Sequence, residues 1–72
     1  MAYSRGRCLL QYWLDHRGMS QAEFARRIGW SKRMVSYWCS DERLMSVEAM
    51  YTASVILEIS MESLYQWRIS AE

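Results

Sequence analysis

The residues best suited to binding chemistry lie between positions 31 and 43, where cationic and hydrogen-bonding side chains recur at helical spacing. At 100° per residue, five of them fall within about 140° of one helix surface, namely Lys32, Arg33, Ser36, Tyr37 and Ser40. The apolar residues Met34, Val35 and Trp38 fall on the opposite side. Positive charge combined with donors and acceptors is what phosphates and base edges require. The pattern therefore predicts a surface that binds a polyanion.

Serines divide the chain into the elements that must position this surface. A serine oxygen at a helix N-cap accepts a hydrogen bond from an amide of the first turn, and five serines fit that role: Ser4, Ser20, Ser31, Ser46 and Ser60. They predict helices over about 5–16, 21–28, 32–39, 47–57 and 61–68. Three glycines and no proline among 72 residues also favour helices over tight-turned sheets. We therefore expect a single all-α domain of five helices spanning residues 1–72.

The second and third predicted helices meet through the short segment Gly29-Trp30-Ser31, which is typical of a helix-turn-helix unit over about residues 20–40. Gly29 allows the left-handed conformation that ends a helix. Ala25 is small enough for the two helices to approach closely. The space under the corner needs apolar side chains, and four are present: Phe24, Ile28, Val35 and Trp38.

These residues resemble the signature of the phage-repressor and Cro-like (Xre-type) helix-turn-helix regulators. The matching pattern is Ser20-Gln21-x-x-Phe24-Ala25-x-x-Ile28-Gly29-x-Ser31-x-x-x-Val35-Ser36-x-Trp38. The likeness continues through Ser46-Val47-Glu48-x-Met50 and Ile59-Ser60-x-Glu62-x-Leu64-Tyr65. The resemblance implies a compact lambda-repressor-like domain that binds a double-stranded DNA operator. Such proteins act in bacterial or phage gene control, usually as dimers on pseudo-palindromes, and are cytoplasmic.

The same resemblance implies roles for individual residues. Gln21 matches a glutamine that braces the recognition helix and touches phosphate. Arg43 lies in the loop after the third helix, where the family often contacts the DNA backbone. The positions that match groove-facing residues are Ser31, Lys32, Arg33, Ser36 and Tyr37.

Charge is unevenly distributed along the chain and leaves a second interpretation open. Residues 1–33 carry seven basic and two acidic side chains, a balance of +5, whereas residues 34–72 carry two basic and six acidic ones, a balance of −4. Asp41 and Glu42 stand where the family usually has glycine and lysine, which places two carboxylates near the expected path of phosphate. The alternative function is a protein-binding adaptor or antirepressor on the same fold.

Large apolar residues, most of them aromatic, exceed the needs of a small core and point to a subunit or partner contact near the C-terminus. The candidates are Tyr51, Tyr65, Trp67 and Ile69. Their side chains exceed what so short a chain can bury, and a shared exposed patch is a common site of protein contact.

Enzymatic chemistry has little support in the sequence. The single histidine, His16, has no metal-ligand spacing around it, and no glycine-rich phosphate loop is present, so we expect no metal, cofactor or small-molecule substrate. The two cysteines, Cys8 and Cys39, fit small buried side chains of a reduced cytoplasmic protein better than a disulfide framework. No apolar run approaches the ~20 residues of a membrane span.

Overall fold

The computed structural model describes residues 2–70, which form four α-helices, one 3-10 helix and a two-stranded sheet. In chain order the elements are β1 (Ala2–Cys8), α1 (Leu10–Arg17), α2 (Gln21–Ile28), α3 (Lys32–Cys39), α4 (Val47–Leu57), the 3-10 helix (Met61–Leu64) and β2 (Tyr65–Ser70). The prediction of an all-α domain with five helices is confirmed for the four central helices. It is wrong at both ends, where strands replace the start of the first predicted helix and the second half of the fifth.

Three of the five predicted serine caps are confirmed. The hydroxyl oxygens of Ser20, Ser31 and Ser46 accept bonds from the amides of Glu23, Met34 and Ala49 at 3.1, 3.2 and 3.1 Å. Ser4 instead lies within β1, and α1 begins after Leu9 without a side-chain cap. Ser60 precedes the 3-10 helix but pairs with the hydroxyl of Ser63 rather than with an amide.

The N-terminal segment is a strand because it finds a partner at the far end of the chain. β1 and β2 pair antiparallel, with Tyr3 opposite Ile69 and Arg5 opposite Trp67, and we call this pair the ribbon. Gly6 permits the close approach, since a Cβ atom there would lie 2.7 Å from the carbonyl oxygen of Gln66. Glycine is also unfavourable within a helix. Residues 2–8 therefore leave the helical pattern that Ser4 suggested.

The predicted fifth helix stops after four residues because other groups occupy its carbonyls. The indole of Trp67 donates to the carbonyl of Glu62 at 2.8 Å, and the indole of Trp13 donates to that of Ser63 at 2.8 Å. The amide of Leu9 donates to the carbonyl of Leu64 at 2.7 Å. A continuing α-helix would need these three acceptors for its own amides. The chain leaves the helix and enters β2 instead.

The core lies where the base of the ribbon meets the helices. Leu10, Leu14, Phe24, Val35 and Leu64 have no exposed surface. The C-terminal end of α4 is closed both by a side chain of α1 and by a residue in a left-handed backbone conformation. The guanidinium of Arg17 donates to the carbonyl of Leu57 at 2.9 Å, and Glu58 ends α4 in the left-handed conformation with φ of 58°.

The serine assignments predict that two matched substitutions change the free energy of unfolding by different amounts. Ser46→Ala removes a cap bond and should lower the free energy of unfolding by about 1 kcal/mol. Ser4→Ala changes an exposed strand residue and should alter it by less than about 0.5 kcal/mol. Urea denaturation followed by circular dichroism measures both. A cost for Ser4→Ala equal to that for Ser46→Ala would mean that Ser4 caps a helix after all.

The thiols are predicted to be unreactive in the folded protein. Burial raises the pKa of the Cys39 thiol to about 12, and nearby acidic groups act in the same direction. The thiolate is the nucleophile, so iodoacetamide should modify Cys39 at pH 8 at least tenfold more slowly in the folded chain than in urea. Because the folded-state pKa is raised, the protonated thiol contributes to the free energy of unfolding. That contribution is fully present below the ordinary pKa and is lost as the pH rises towards 12. Peptide mass spectrometry follows Cys39 separately from Cys8, and equal rates in the two states would contradict the prediction.

Candidate nucleic-acid interface

The corner between α2 and α3 has the packing that its sequence predicts. Gly29 ends α2 with φ of 84°, a left-handed conformation. The two helices pack against each other through small and apolar side chains. Three of these are at most 5% exposed, namely Ala25, Val35 and Trp38. Trp30, in the turn, is 37% exposed and packs edge-on against Trp38 with ring centroids 5.6 Å apart. This packing holds α3 rigidly at the surface.

The outer face of α3 carries the cationic and polar side chains. Lys32, Arg33 and Ser36 are exposed, whereas Val35 and Trp38 point into the core. Within residues 2–70 the only ion pair joins Arg27 to Glu23 at 3.0 Å, so the charges of Lys32 and Arg33 are uncompensated by any acid there. The structure thus brings together the groove-facing candidates on one solvent-facing surface at the start of α3.

Tyr37 and Arg43 form a second part of this surface. Tyr37 is half-buried, and the guanidinium of Arg43 lies over its ring, 5.4 Å from the centroid. The carbonyl of Tyr37 accepts bonds from the amides of Glu42 and Arg43 at 2.9 and 3.4 Å. Stacking and hydrogen bonds therefore hold Arg43 beside the C-terminal end of α3. Tyr37 therefore has two roles: its ring holds the guanidinium of Arg43, and it faces outward itself.

Gln21 braces a different helix from the one that the resemblance implies. Its side-chain amide donates to Gln11 on α1 at 2.7 Å, and Gln11 in turn donates to Asp15 at 2.8 Å. These bonds attach the start of α2 to α1 rather than to α3. Ser31, whose oxygen caps α3, lies exposed at the edge of the outer face.

The two carboxylates of the loop after α3 have partners within the protein. Asp41 adopts φ of 65°, the conformation for which glycine is usual, and its carboxylate accepts the amide of Cys8 at 2.9 Å. Glu42 accepts the hydroxyl of Ser40 at 3.2 Å. The negative charge of Asp41 is therefore directed towards the base of the ribbon. Sequence reasoning missed this role because Cys8 is distant in the chain.

Three of the four predicted partner-contact residues are exposed and one is not. Tyr51, Trp67 and Ile69 are 61%, 40% and 56% exposed. Tyr65 is only 2% exposed, so its prediction as a surface contact is wrong. Its ring packs in the core because β2 directs alternate side chains inward at its base. Tyr3, which lies opposite Ile69 in the ribbon and is 67% exposed, belongs to the same surface and was missed.

Arg5 has a structural role that its basic character alone does not indicate. Its guanidinium donates to the carbonyl of Met45 at 2.8 Å and lies over the ring of Tyr65, 5.1 Å from the centroid. The hydroxyl of Tyr65 accepts the amide of Met45 at 3.0 Å. Burial raises the pKa of this phenol, which stays protonated. The ribbon thereby fixes the loop that carries Arg43.

The described residues 2–70 contain no cluster of histidine, cysteine and acidic side chains that could hold a metal ion. No helix in that part of the chain is long and apolar enough to cross a membrane.

Two substitutions at Asp41 test the combined contribution of its bond and its backbone conformation. Asp41→Ala loses the acceptor for Cys8 and keeps a Cβ atom in the left-handed region, so the free energy of unfolding should fall by about 2 kcal/mol. Asp41→Asn retains an oxygen acceptor and a residue that tolerates this conformation, and should lose less than about 1 kcal/mol. Urea denaturation compares them. Equal losses for the two variants would contradict a stabilising role for the bond to Cys8 together with the side chain's tolerance of positive φ.

Comparison with known proteins agrees with this geometry. A family model described as helix-turn-helix matches residues 10–64. The match covers all four α-helices and the 3-10 helix and leaves most of the ribbon outside. No curated protein matches the chain significantly. Since the model spans well over half of the chain, with the α2–α3 corner at its centre, the protein belongs to the helix-turn-helix family.

Proposed function

We propose that this protein is a sequence-specific DNA-binding transcriptional regulator, of the Cro and repressor type, that reads the major groove with α3. The observation that carries the proposal is the exposed outer face of α3, on which Lys32 and Arg33 have no acidic partner within residues 2–70. An α-helix fits the major groove, and a recognition helix contacts bases through its N-terminal residues. The two cations occupy that first turn.

Each polar residue has a place in this docking. Arg33 pairs with the O6 and N7 atoms of a guanine, the commonest specific contact between a side chain and a base. Lys32 and Ser36 reach neighbouring bases or phosphates. Arg43, held by Tyr37, contacts the DNA backbone beside the groove. Ser31 and Gln21 meet the phosphate at the start of the two helices.

The loop carboxylates lie at the opposite end of α3 from Lys32 and Arg33. Asp41 and Glu42 were the reason to expect repulsion of phosphate, and they accept hydrogen bonds from the Cys8 amide and the Ser40 hydroxyl while keeping their charge. The charge in the first turn of α3 is positive. As in the family that the sequence resembles, we infer a role in bacterial or phage gene control in the cytoplasm, with two copies bound to a pseudo-palindromic operator.

Selection from a random DNA pool identifies the operator, and fluorescence anisotropy then tests the docking. Arg33→Ala should weaken operator binding by about 1–3 kcal/mol and relax the choice at one base pair. Arg27→Ala, which removes the same charge from a residue paired with Glu23 on α2, is the matched control and should have a much smaller effect. Affinity should also fall steeply between ~50 and ~200 mM salt.

Two outcomes would contradict the proposal. The first is the absence of any enriched DNA sequence with the wild-type chain. The second is unchanged operator affinity after Arg33→Ala and Lys32→Ala are combined, with the fold verified by circular dichroism.

A further inference from the structure

The ribbon has a polar face as well as an apolar one, and none of the roles described above uses it. Alternate residues of a strand point to the same side, so Gln66 and Arg68 of β2 lie on the face opposite to that of the buried Tyr65. Ser4, which pairs with Arg68 across the ribbon, lies on this face too. All three polar side chains are exposed.

A bulge in β1 adds Arg7 to the same face. Two residues of β1, Gly6 and Arg7, stand opposite Gln66 alone. A regular strand would direct Arg7 to the side of Arg5, which packs on the core, whereas the extra residue of the bulge turns it to the other side. Arg7 is accordingly exposed and lines one depression together with Gln66. We call the resulting set of four exposed side chains the polar face: Ser4, Arg7, Gln66 and Arg68.

Both arginines of the polar face are free to bind an anion. Within residues 2–70 neither Arg7 nor Arg68 makes an ion pair, and the two strands contain no acidic residue. Two carboxylates lie at the base of the ribbon, where Asp15 accepts a hydrogen bond from Gln11 and Asp41 accepts one from a backbone amide. Arg68 lies two residues beyond Gln66 towards the outer end of the ribbon, so positive charge dominates there. Guanidinium groups match the geometry of phosphate.

The polar face adjoins the surface that we propose to bind DNA. Gln21, at the start of α2, donates to Gln11 at 2.7 Å. Gln11 lines the same depression as Arg7 and Gln66, and so does Cys39, the last residue of α3. The depression therefore lies between the ribbon and the two helices that contact DNA in the proposed docking. The polar face continues the surface on which Gln21 meets phosphate.

We propose that the polar face of the ribbon is a second DNA contact, in which Arg7 and Arg68 bind phosphates of the duplex that α3 reads. The inference rests on the proposed function and adds to it a role for residues outside the helix-turn-helix unit. Phosphate contacts position a protein on the duplex and carry no sequence information directly, so the ribbon contributes affinity and α3 contributes the choice of bases. Because the ribbon is bonded to the loop after α3 at Asp41 and Met45, the two contacts keep a fixed separation.

Fluorescence anisotropy with the selected operator and with a scrambled duplex of equal length tests the proposal. Arg7→Gln and Arg68→Gln each remove one phosphate contact. Each should weaken binding to both duplexes by a similar factor, roughly five- to tenfold at ~100 mM salt, and should lower the slope of log K against log salt by about 1. Arg68→Lys keeps the charge and should retain most of the affinity, since lysine also binds phosphate.

Three further variants separate the position of a charge from its mere presence. Arg27→Gln removes one positive charge from α2, where Arg27 is paired with Glu23, and should have a much smaller effect. Tyr3→Gln changes an exposed side chain on the other face of the ribbon and should leave binding unchanged. Asp15→Asn removes a carboxylate from the depression beside Arg7 and should strengthen binding to both duplexes. Circular dichroism verifies the fold of every variant.

The outcomes distinguish the ribbon contact from the docking of α3. If Arg7→Gln and Arg68→Gln bind both duplexes as the wild type does while Arg33→Ala loses the operator, the ribbon contact is overturned and the docking of α3 stands. If the two ribbon variants weaken binding and Arg33→Ala does not, the ribbon binds DNA and α3 is not the reading helix. A loss restricted to the operator would also overturn the ribbon contact, because a phosphate contact acts on every sequence. Absence of binding to either duplex would overturn both proposals.

Discussion

The backbone of Met45 is buried between the ribbon and the helices, and its two polar groups must find partners inside the protein. The hydroxyl of Tyr65, at the start of β2, accepts its N–H, and the guanidinium of Arg5, in β1, donates to its C=O. The two partners come from opposite ends of the chain. Met45 can therefore be buried only when the ribbon has formed. Arg43 lies two residues earlier in the same loop, which Asp41 also anchors through its bond to the amide of Cys8.

Some basic side chains are bonded to other parts of the protein and others are not, and a count of charges does not distinguish the two groups. Arg5 holds the loop, Arg17 closes the C-terminal end of α4, and Arg27 pairs with Glu23. These three belong to the positive first half of the chain, yet each has a partner within the protein. The cations that remain are fewer than the balance of +5 suggests, and two of them, Lys32 and Arg33, lie in the first turn of α3. A nearly neutral total charge is thus compatible with a locally positive surface.

Two residues other than glycine adopt the left-handed conformation that glycine adopts most easily. Asp41 and Glu58 have φ of 65° and 58°. Asp41 offsets the conformational cost with its bond to Cys8. Glu58 ends α4 in this left-handed conformation. Neither residue belongs to the outer face of α3.

The sequence by itself determined the central helices and their corner, because these depend on interactions within a few residues. Serine caps, the left-handed Gly29 and the apolar spacing of α2 and α3 act over one or two turns, and each is visible in the sequence. In β2 the alternation of Tyr65, Trp67 and Ile69 with polar residues was also a visible signal of a strand, and the helical spacing of the preceding residues obscured it.

Only the tertiary structure decided the two ends of the chain. The ribbon joins residues about sixty positions apart, and the carbonyls of the 3-10 helix are taken by Trp13, Trp67 and Leu9. Likewise, no local pattern indicates that Asp41 binds Cys8 or that Tyr65 is buried under Arg5. A backbone group takes whichever partner the fold brings to it, and that choice depends on contacts that close only when the whole domain has formed.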